Sequence, residues 1–293
     1  MIHFPDISPE IFSVTIFGLG IALRWYALAY IVGILLGWRI AVLAVSRSGL
    51  WRGNHSPIEA VQVEDLLTWI ILGVIFGGRL GYVIFYQPMH FLYNPLEVFM
   101  IWQGGMAFHG GLAGVCIAAY LFFRRNLVPY DSGADLLALA APAGLLLGRA
   151  ANFINAELWG RPTDLPWGVI FPGEAAQACG QLEGFCARHP SQLYEAALEG
   201  LLLGGLLLFL AFRRKALKKP GLITGLFFAG YGIARSIVEL VRQPDAQFQS
   251  ADNPLGYVFE IAGMGMTMGQ LLSLPMILVG LFLISRARRL PQP

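Results

Sequence analysis

The 293-residue chain is 56% hydrophobic and only 13% charged, more apolar surface than a water-soluble domain of this length can hide. Its net charge of +2, with no basic arm or basic helix, argues against a nucleic-acid partner. The segment before Arg24 contains no Lys or Arg, so it lacks the positive stretch of a cleavable signal peptide, and the first apolar helix is expected to be retained as a span.

Crossing a hydrocarbon core of roughly 30 Å takes an apolar run of about 20 residues. Such runs recur at 23–45, 66–86, 107–123, 135–155, 193–212, 221–241 and 268–285. They predict an all-α, polytopic membrane protein of seven spans, with residues 1–293 forming a single membrane domain. The longest hydrophilic segment, 156–192, is rich in Gly, Pro and aromatic residues. It is expected to form a small extracytoplasmic cap between spans four and five. No linker or internal repeat divides the chain.

Basic residues set the orientation. Arg47 and Arg52 follow span one, Arg124 and Arg125 span three, Arg213, Arg214, Lys215, Lys218 and Lys219 span five, and Arg286, Arg288 and Arg289 span seven. The opposite loops carry Arg161, Arg188 and Arg242. Because basic loops stay in the cytoplasm, the amino terminus is expected outside and the carboxyl terminus inside.

Arg24, Arg39, Arg79, Arg149 and Arg235 remain within or at the ends of the spans. Arg24 and Arg39 lie where a long side chain can reach an interface. The other three sit deeper, where arginine costs a few kcal/mol or more and needs a partner or a ligand. At roughly 1.5 Å per residue, about 13 to 15 residues from the cytoplasmic end, all three reach the outer half of the bilayer. Tyr26, His109, Glu195 and Glu199 lie near the outer ends of the inward-running spans, so polar residues of six spans are expected in one layer.

Spacing supports a shared cavity. Arg149 and Asn152 are three apart, and Tyr231, Arg235 and Glu239 are four apart, so each set shares a helix face. Each charge alone could be explained as an ion pair that glues helices together; the collection at one depth points to a site. A lipid-facing pocket with guanidinium groups suits an anionic headgroup, because arginine binds phosphate oxygens in a planar fork, and a phospholipid is the expected substrate. Glycines cluster at GGRLGY (77–82), GGMAFHGG (104–111) and GLLLGR (144–149). Most suit close helix packing, and those flanking His109 predict a loop or broken helix.

Four motifs carry a resemblance: GGMAFHGG with His109, GRAANFINAELWGR from Gly148 to Arg161, RHPSQLYE from Arg188 to Glu195, and GYGIARSIVELVRQPD from Gly230 to Asp245. Together, in order over nearly the whole chain, they resemble the prolipoprotein diacylglyceryl transferase family. The resemblance implies transfer of diacylglycerol from phosphatidylglycerol to the lipobox cysteine of a prolipoprotein signal sequence, releasing glycerol phosphate. It implies a multi-pass protein of the bacterial inner membrane, among membrane lipids, with a periplasmic amino terminus and no metal or organic cofactor. Carried over by position, the essential residues are Tyr26, His109, Arg149, Asn152, Glu157, Gly160, Arg235 and Glu239. The family often has Gly where this chain has Ala27, Ala151 and Ala156, and His where it has Arg24, which leaves local packing and any role for position 24 open.

Physical roles follow as expectations. Arg149 and Arg235 stabilise charge on the departing phosphate, and His109 takes the proton of the attacking thiol. Asn152 and Tyr26 hold the lipid headgroup or its ester oxygens, and Glu239 orients Arg235. Glu157, Gly160 and Tyr231 complete the binding set. Two rivals fit less well. An intramembrane serine protease would need a nucleophile at cavity depth, and neither Ser191 nor Ser236 has a suitable context. An anionic lipid carrier would be expected to show inverted repeats. Cys116, in mid-span, is expected in the core, Cys179 and Cys186 could close an extracytoplasmic disulfide, and the five histidines have no zinc-ligand spacing.

Overall fold

In hydrocarbon every backbone N–H and C=O must be satisfied within its own segment, so the long apolar runs become helices. A computed structural model describes residues 1–16, 19–179, 185–250, 252–261 and 264–290. Strands β1 (Ile2–His3), β2 (Glu10–Ile16) and β3 (Leu19–Arg24) open the chain, followed by helices α1 (Trp25–Val45), α2 (Ala60–Phe85), α3 (Pro88–Tyr93), α4 (Phe108–Arg125) and α5 (Tyr130–Ile154). Then come β4 (Val169–Ile170), the short α6 (Glu174–Gln177), and α7 (Ser191–Glu195), which runs through a π-helical stretch, Ala196–Leu202, into α8 (Leu203–Phe212). Helix α9 (Leu222–Val238), strands β5 (Tyr257–Ile261) and β6 (Met264–Thr267), and α10 (Met268–Arg289) complete the order.

The protein is therefore mostly helical, as an all-α membrane protein is expected to be, and three short two-stranded pairings accompany the helices. Hairpins β2–β3 and β5–β6 lead into α1 and α10, and β1 pairs in parallel with β4. Local pairing lets the two hairpins form outside any apolar helix, whereas β1–β4 joins the amino terminus to the segment after α5. Arg24, at the end of β3, pairs with Glu10 across the first hairpin at 3.3 Å.

Among the described residues, five helices are long and apolar enough to cross a membrane: α1, α2, α5, the continuous Ser191–Phe212 helix, and α10. Helix α9 is apolar but shorter. Helix α4 carries His109 in its first turn and ends on Arg124 and Arg125. The chain is thus a multi-pass membrane protein, with five of the seven expected spans meeting the length and apolarity that crossing requires.

Small residues set the packing. Gly73, Gly77 and Gly81 of α2 face Gly110 and Gly114 of α4 so closely that a Cβ on Gly114 would stand 1.9 Å from the Gly73 carbonyl oxygen. Such stripes let membrane helices gain van der Waals contact where lipid removes the hydrophobic drive. A cluster including Trp51, Phe122, Leu136, Leu139, Leu207, Leu217 and Ile223 fills the bundle at the end bearing most of the basic residues. There Asp135 of α5, fully buried, accepts from the backbone N–H groups of Gly221 and Thr224 and from the Thr224 hydroxyl. It satisfies donors at the start of α9 that have no partner within that helix.

The opposite end carries the segment between α5 and α7. Residues 156–179 and 185–190 pack with the amino terminus through β1–β4, and Gly160 bridges to Arg242. Residues 180–184 of the expected cap lie outside the described residues. Arg188 is buried over the Trp159 ring, 4.0 Å from its centroid, and donates to the carbonyls of Ala176, Ala178 and Gly160. Burial lowers the pKa of Arg188 and of His189 from their ordinary values. Cys179 and Cys186 form a disulfide, their Cα atoms 6.1 Å apart. Cys116, expected in the core, is exposed.

Candidate functional site

Arg149 and Asn152 occupy one face of α5, a turn apart, because three residues nearly complete a helical turn. Facing them, Glu195 ends α7 and Glu199 follows four residues later, where the helix widens to a π geometry. Such stretches give up regular hydrogen bonding and recur at functional sites. Gly200 permits the approach, since a Cβ there would meet the Leu146 backbone of α5 at 2.6 Å.

The result is a buried ion network. Arg149 Nε lies 3.0 Å from Glu195 Oε2 and 3.9 Å from Glu199 Oε2. Arg235 of α9 donates one terminal amino group to Glu195 and the other to Glu239. Arg242, just beyond α9, donates to Glu195 Oε1 at 3.2 Å, and the Thr267 hydroxyl donates to Glu239 at 2.8 Å. Three guanidinium groups thus face three carboxylates, as buried charge requires. The arginines differ, however. Both terminal amino groups of Arg235 are engaged, whereas among the described residues neither terminal amino group of Arg149 has an acceptor. The Arg149 side chain is 19% exposed, so its open fork marks the mouth of the site.

One turn further along α5 lies a second polar group. Asn152 Nδ2 donates to Glu157 Oε1 at 2.7 Å, and Asn155 Nδ2 adds a longer bond to the same oxygen. The Tyr26 hydroxyl meets that of Tyr30 at 3.2 Å, with Asn152 and Glu157 beside it. Glu157 is turned back by its neighbours: Ala156 and Leu158 have φ of +53° and +57°, a left-handed backbone that favours glycine. A glycine at position 156 would adopt this conformation without strain. Gly160 is a close-approach position, where a Cβ would meet the Val241 carbonyl at 2.5 Å. Tyr231 stacks on Phe227 and faces Glu199 and Arg149.

Two expected members of the layer lie elsewhere. Arg79 is buried and donates to the carbonyls of Val98 (2.9 Å), Glu97 (2.5 Å), Gly104 (2.5 Å) and Gly105 (3.3 Å), with Phe91 under its guanidinium. It therefore staples the segment between α3 and α4 instead of joining an anion site. Replacing Arg79 with alanine is expected to expose residues 94–105 to limited proteolysis while the Arg149 network persists; unchanged cleavage would contradict this. His109 is exposed in the first turn of α4, and no hydrogen bond or ion pair joins it to the Arg149 network among the described residues. The anticipated break in the chain falls at Gly104 and Gly105, with φ near +80°, whereas Gly110 and Gly111 remain helical.

Sequence reasoning recognised Glu195 and Glu199 as deep polar residues but not Glu195 as the hub, and it left Arg242 in a loop. The signal for Arg242 was its spacing, three residues after Glu239 and seven after Arg235, which continues their helix face. Thr267 had no local signal, since a hairpin delivers it. Ser191 and Ser236 direct their hydroxyls to the carbonyls of Leu158 and Gly232. No group of three metal-ligating side chains occurs among the described residues.

A family model described as prolipoprotein diacylglyceryl transferase matches residues 14–286. Phosphatidylglycerol–prolipoprotein diacylglyceryl transferase of Ruegeria pomeroyi is 64% identical over 291 residues, covering 99% of each chain. The enzyme of that name from Roseobacter denitrificans is 63% identical over 287 residues, 98% of each. A third, from Rhizobium meliloti, is 47% identical over 288 residues, 98% of this chain and 95% of its own.

Proposed function

The chain belongs to the prolipoprotein diacylglyceryl transferase family, and on that premise we propose that it moves the diacylglyceryl group of phosphatidylglycerol onto the lipobox cysteine of prolipoproteins. The observation that carries the chemistry is the open fork of Arg149, held by carboxylates only through its Nε. A thiolate attacks the glyceryl carbon, a carbon–sulfur bond forms, the carbon–oxygen bond to phosphate breaks, and glycerol phosphate leaves with the electron pair. Charge grows on the phosphate oxygens as that bond breaks. A guanidinium held from behind by carboxylates, with its two terminal amino groups presented forward, matches that growing charge at little reorganisation cost.

Arg235 acts beside it. Glu195 and Glu239 hold its fork, so it reaches substrate oxygens only by exchanging one carboxylate for phosphate. Glu239, steadied by Thr267, orients it. Asn152, Tyr26 and Glu157 take the ester and headgroup oxygens, with Tyr231 alongside. Gly160 keeps the cap strand close to the end of α9.

His109 is the proposed base. In-line displacement puts the nucleophile on the side of the reacting carbon away from the leaving group, so a base serving the thiol need not touch the phosphate clamp. A His109→Gln variant is expected to lose about 10²- to 10⁴-fold in kcat, as for a missing general base. Binding of phosphatidylglycerol should hold. The deficit should shrink as the assay pH rises past about 8.5, where a free thiol ionises unaided. A pH-independent deficit, or none, would remove His109 from this role.

Helices α4 and α9 complete seven spans in this reading. The basic ends face the cytoplasm of a bacterial inner membrane, and the cap and the Arg149 network face the periplasm. The deciding experiment incubates detergent-purified protein with phosphatidylglycerol labelled in its headgroup and a lipobox peptide. Peptide lipidation with stoichiometric release of glycerol phosphate is expected. Lipid binding without peptide modification would overturn the assignment in favour of a carrier.

A further inference from the structure

Glu199, like Arg242, is a member of the ion network that the chemistry above leaves unused. Its side chain is fully buried, and among the described residues neither carboxylate oxygen finds a hydrogen-bond donor. The nearest cation is Arg149 Nε at 3.9 Å, beyond hydrogen-bonding distance. On the same helix the buried Gln192 Oε1 also lacks a donor. Glu195 Oε2 is off the hydrogen-bonding line too, although Arg149 Nε lies only 3.0 Å from it. Buried acceptors are normally satisfied, so a row of them on α7 and its π-helical continuation marks a place for hydrogen-bond donors that the chain itself does not supply.

We propose that Glu199 is a specificity-determining residue that accepts hydrogen bonds from the terminal hydroxyl groups of the lipid's glycerol headgroup. The proposal rests on the reading of the site as a phosphatidylglycerol transferase. The neighbouring chemistry selects a neutral donor. Arg149, Arg235 and Arg242 surround Glu199 and oppose a cationic headgroup there, while a hydroxyl donates without adding charge. Covalent connectivity helps as well: in this lipid the glycerol hydroxyls are attached to the phosphate that the Arg149 fork would bind. Glu199 lies 3.9 Å from the Nε of the partly exposed Arg149, so a headgroup whose phosphate is held by the Arg149 fork carries its hydroxyls to the neighbourhood of Glu199 without displacing that guanidinium. A buried carboxylate left without a donor penalises any lipid lacking the hydroxyls.

The test compares phosphatidylglycerol with phosphatidylpropanol, which has the same phosphodiester and no headgroup hydroxyl, as substrates for peptide lipidation. The wild-type protein is expected to favour phosphatidylglycerol in kcat/KM by roughly 10- to 100-fold. In Glu199→Met, which removes the acceptor at similar volume, that ratio should fall towards unity, whereas Glu199→Gln, which keeps one acceptor oxygen, should retain part of it and Glu199→Asp most of it. A purely structural role lowers both rates together and leaves the ratio unchanged, which would overturn the proposal. So would a wild-type protein that uses both lipids equally, a result that stands even if a variant does not fold. Absence of any wild-type lipidation would instead refute the transferase reading on which this rests.

Discussion

Replacement of Arg149 by alanine is expected to lower kcat/KM for peptide lipidation by about 10²- to 10³-fold, the cost of losing a preorganised donor to developing negative charge. The geometry of one side chain sets the size of that loss. Its Nε is tied to Glu195, its terminal amino groups are unopposed, and its mouth position leaves it partly exposed. Arg149→Lys separates charge from shape, because an ammonium offers a point charge and cannot present two parallel donors to a phosphate. The lysine variant should insert and stay folded, with its deficit concentrated in kcat. Rates within a few-fold of wild type for both variants would show that the fork does not meet the transition state.

Removing Glu195 should act on stability as strongly as removing Arg149 acts on catalysis. Glu195 is fully buried and pairs with Arg149, Arg235 and Arg242, elements otherwise far apart in sequence. A Glu195→Ala variant leaves those guanidinium groups facing one another across a cavity with only Glu199 and Glu239 to balance them. Breaking a buried pair in this way costs about 3–5 kcal/mol, enough to lower the thermal midpoint in detergent by many degrees. Glu195→Gln, which keeps the volume, should recover packing but little of the electrostatic loss. An unchanged midpoint in the alanine variant would mean that the network is hydrated and weakly coupled.

The two variants also distinguish the halves of the site. Arg149 has donors to spare and so presents chemistry outward; Glu195 pairs with three guanidinium groups from distant segments and so holds the helices in register. A reader of the sequence sees two deep charged residues at similar depth and cannot tell these roles apart. The difference arises from which atoms are already satisfied, a property of three helices meeting.

What the sequence by itself determined follows from local and one-dimensional physics. Apolar run length dictated helices and a membrane setting, because hydrocarbon tolerates no unsatisfied backbone. Three- and four-residue spacings put Arg149 with Asn152, and Arg235 with Glu239, on common faces, because helical periodicity is intrinsic to the chain. Four ordered motifs pointed to the family. Tertiary structure decided the rest. Arg79 had the same depth and residue type as Arg149, yet carbonyls of the segment between α3 and α4 engage each of its three side-chain nitrogens. Thr267 reaches Glu239 through a hairpin, and Arg242 folds back onto Glu195. Those outcomes depend on contacts between residues distant in the chain, where competition among acceptors for a few buried donors is resolved only once the helices pack.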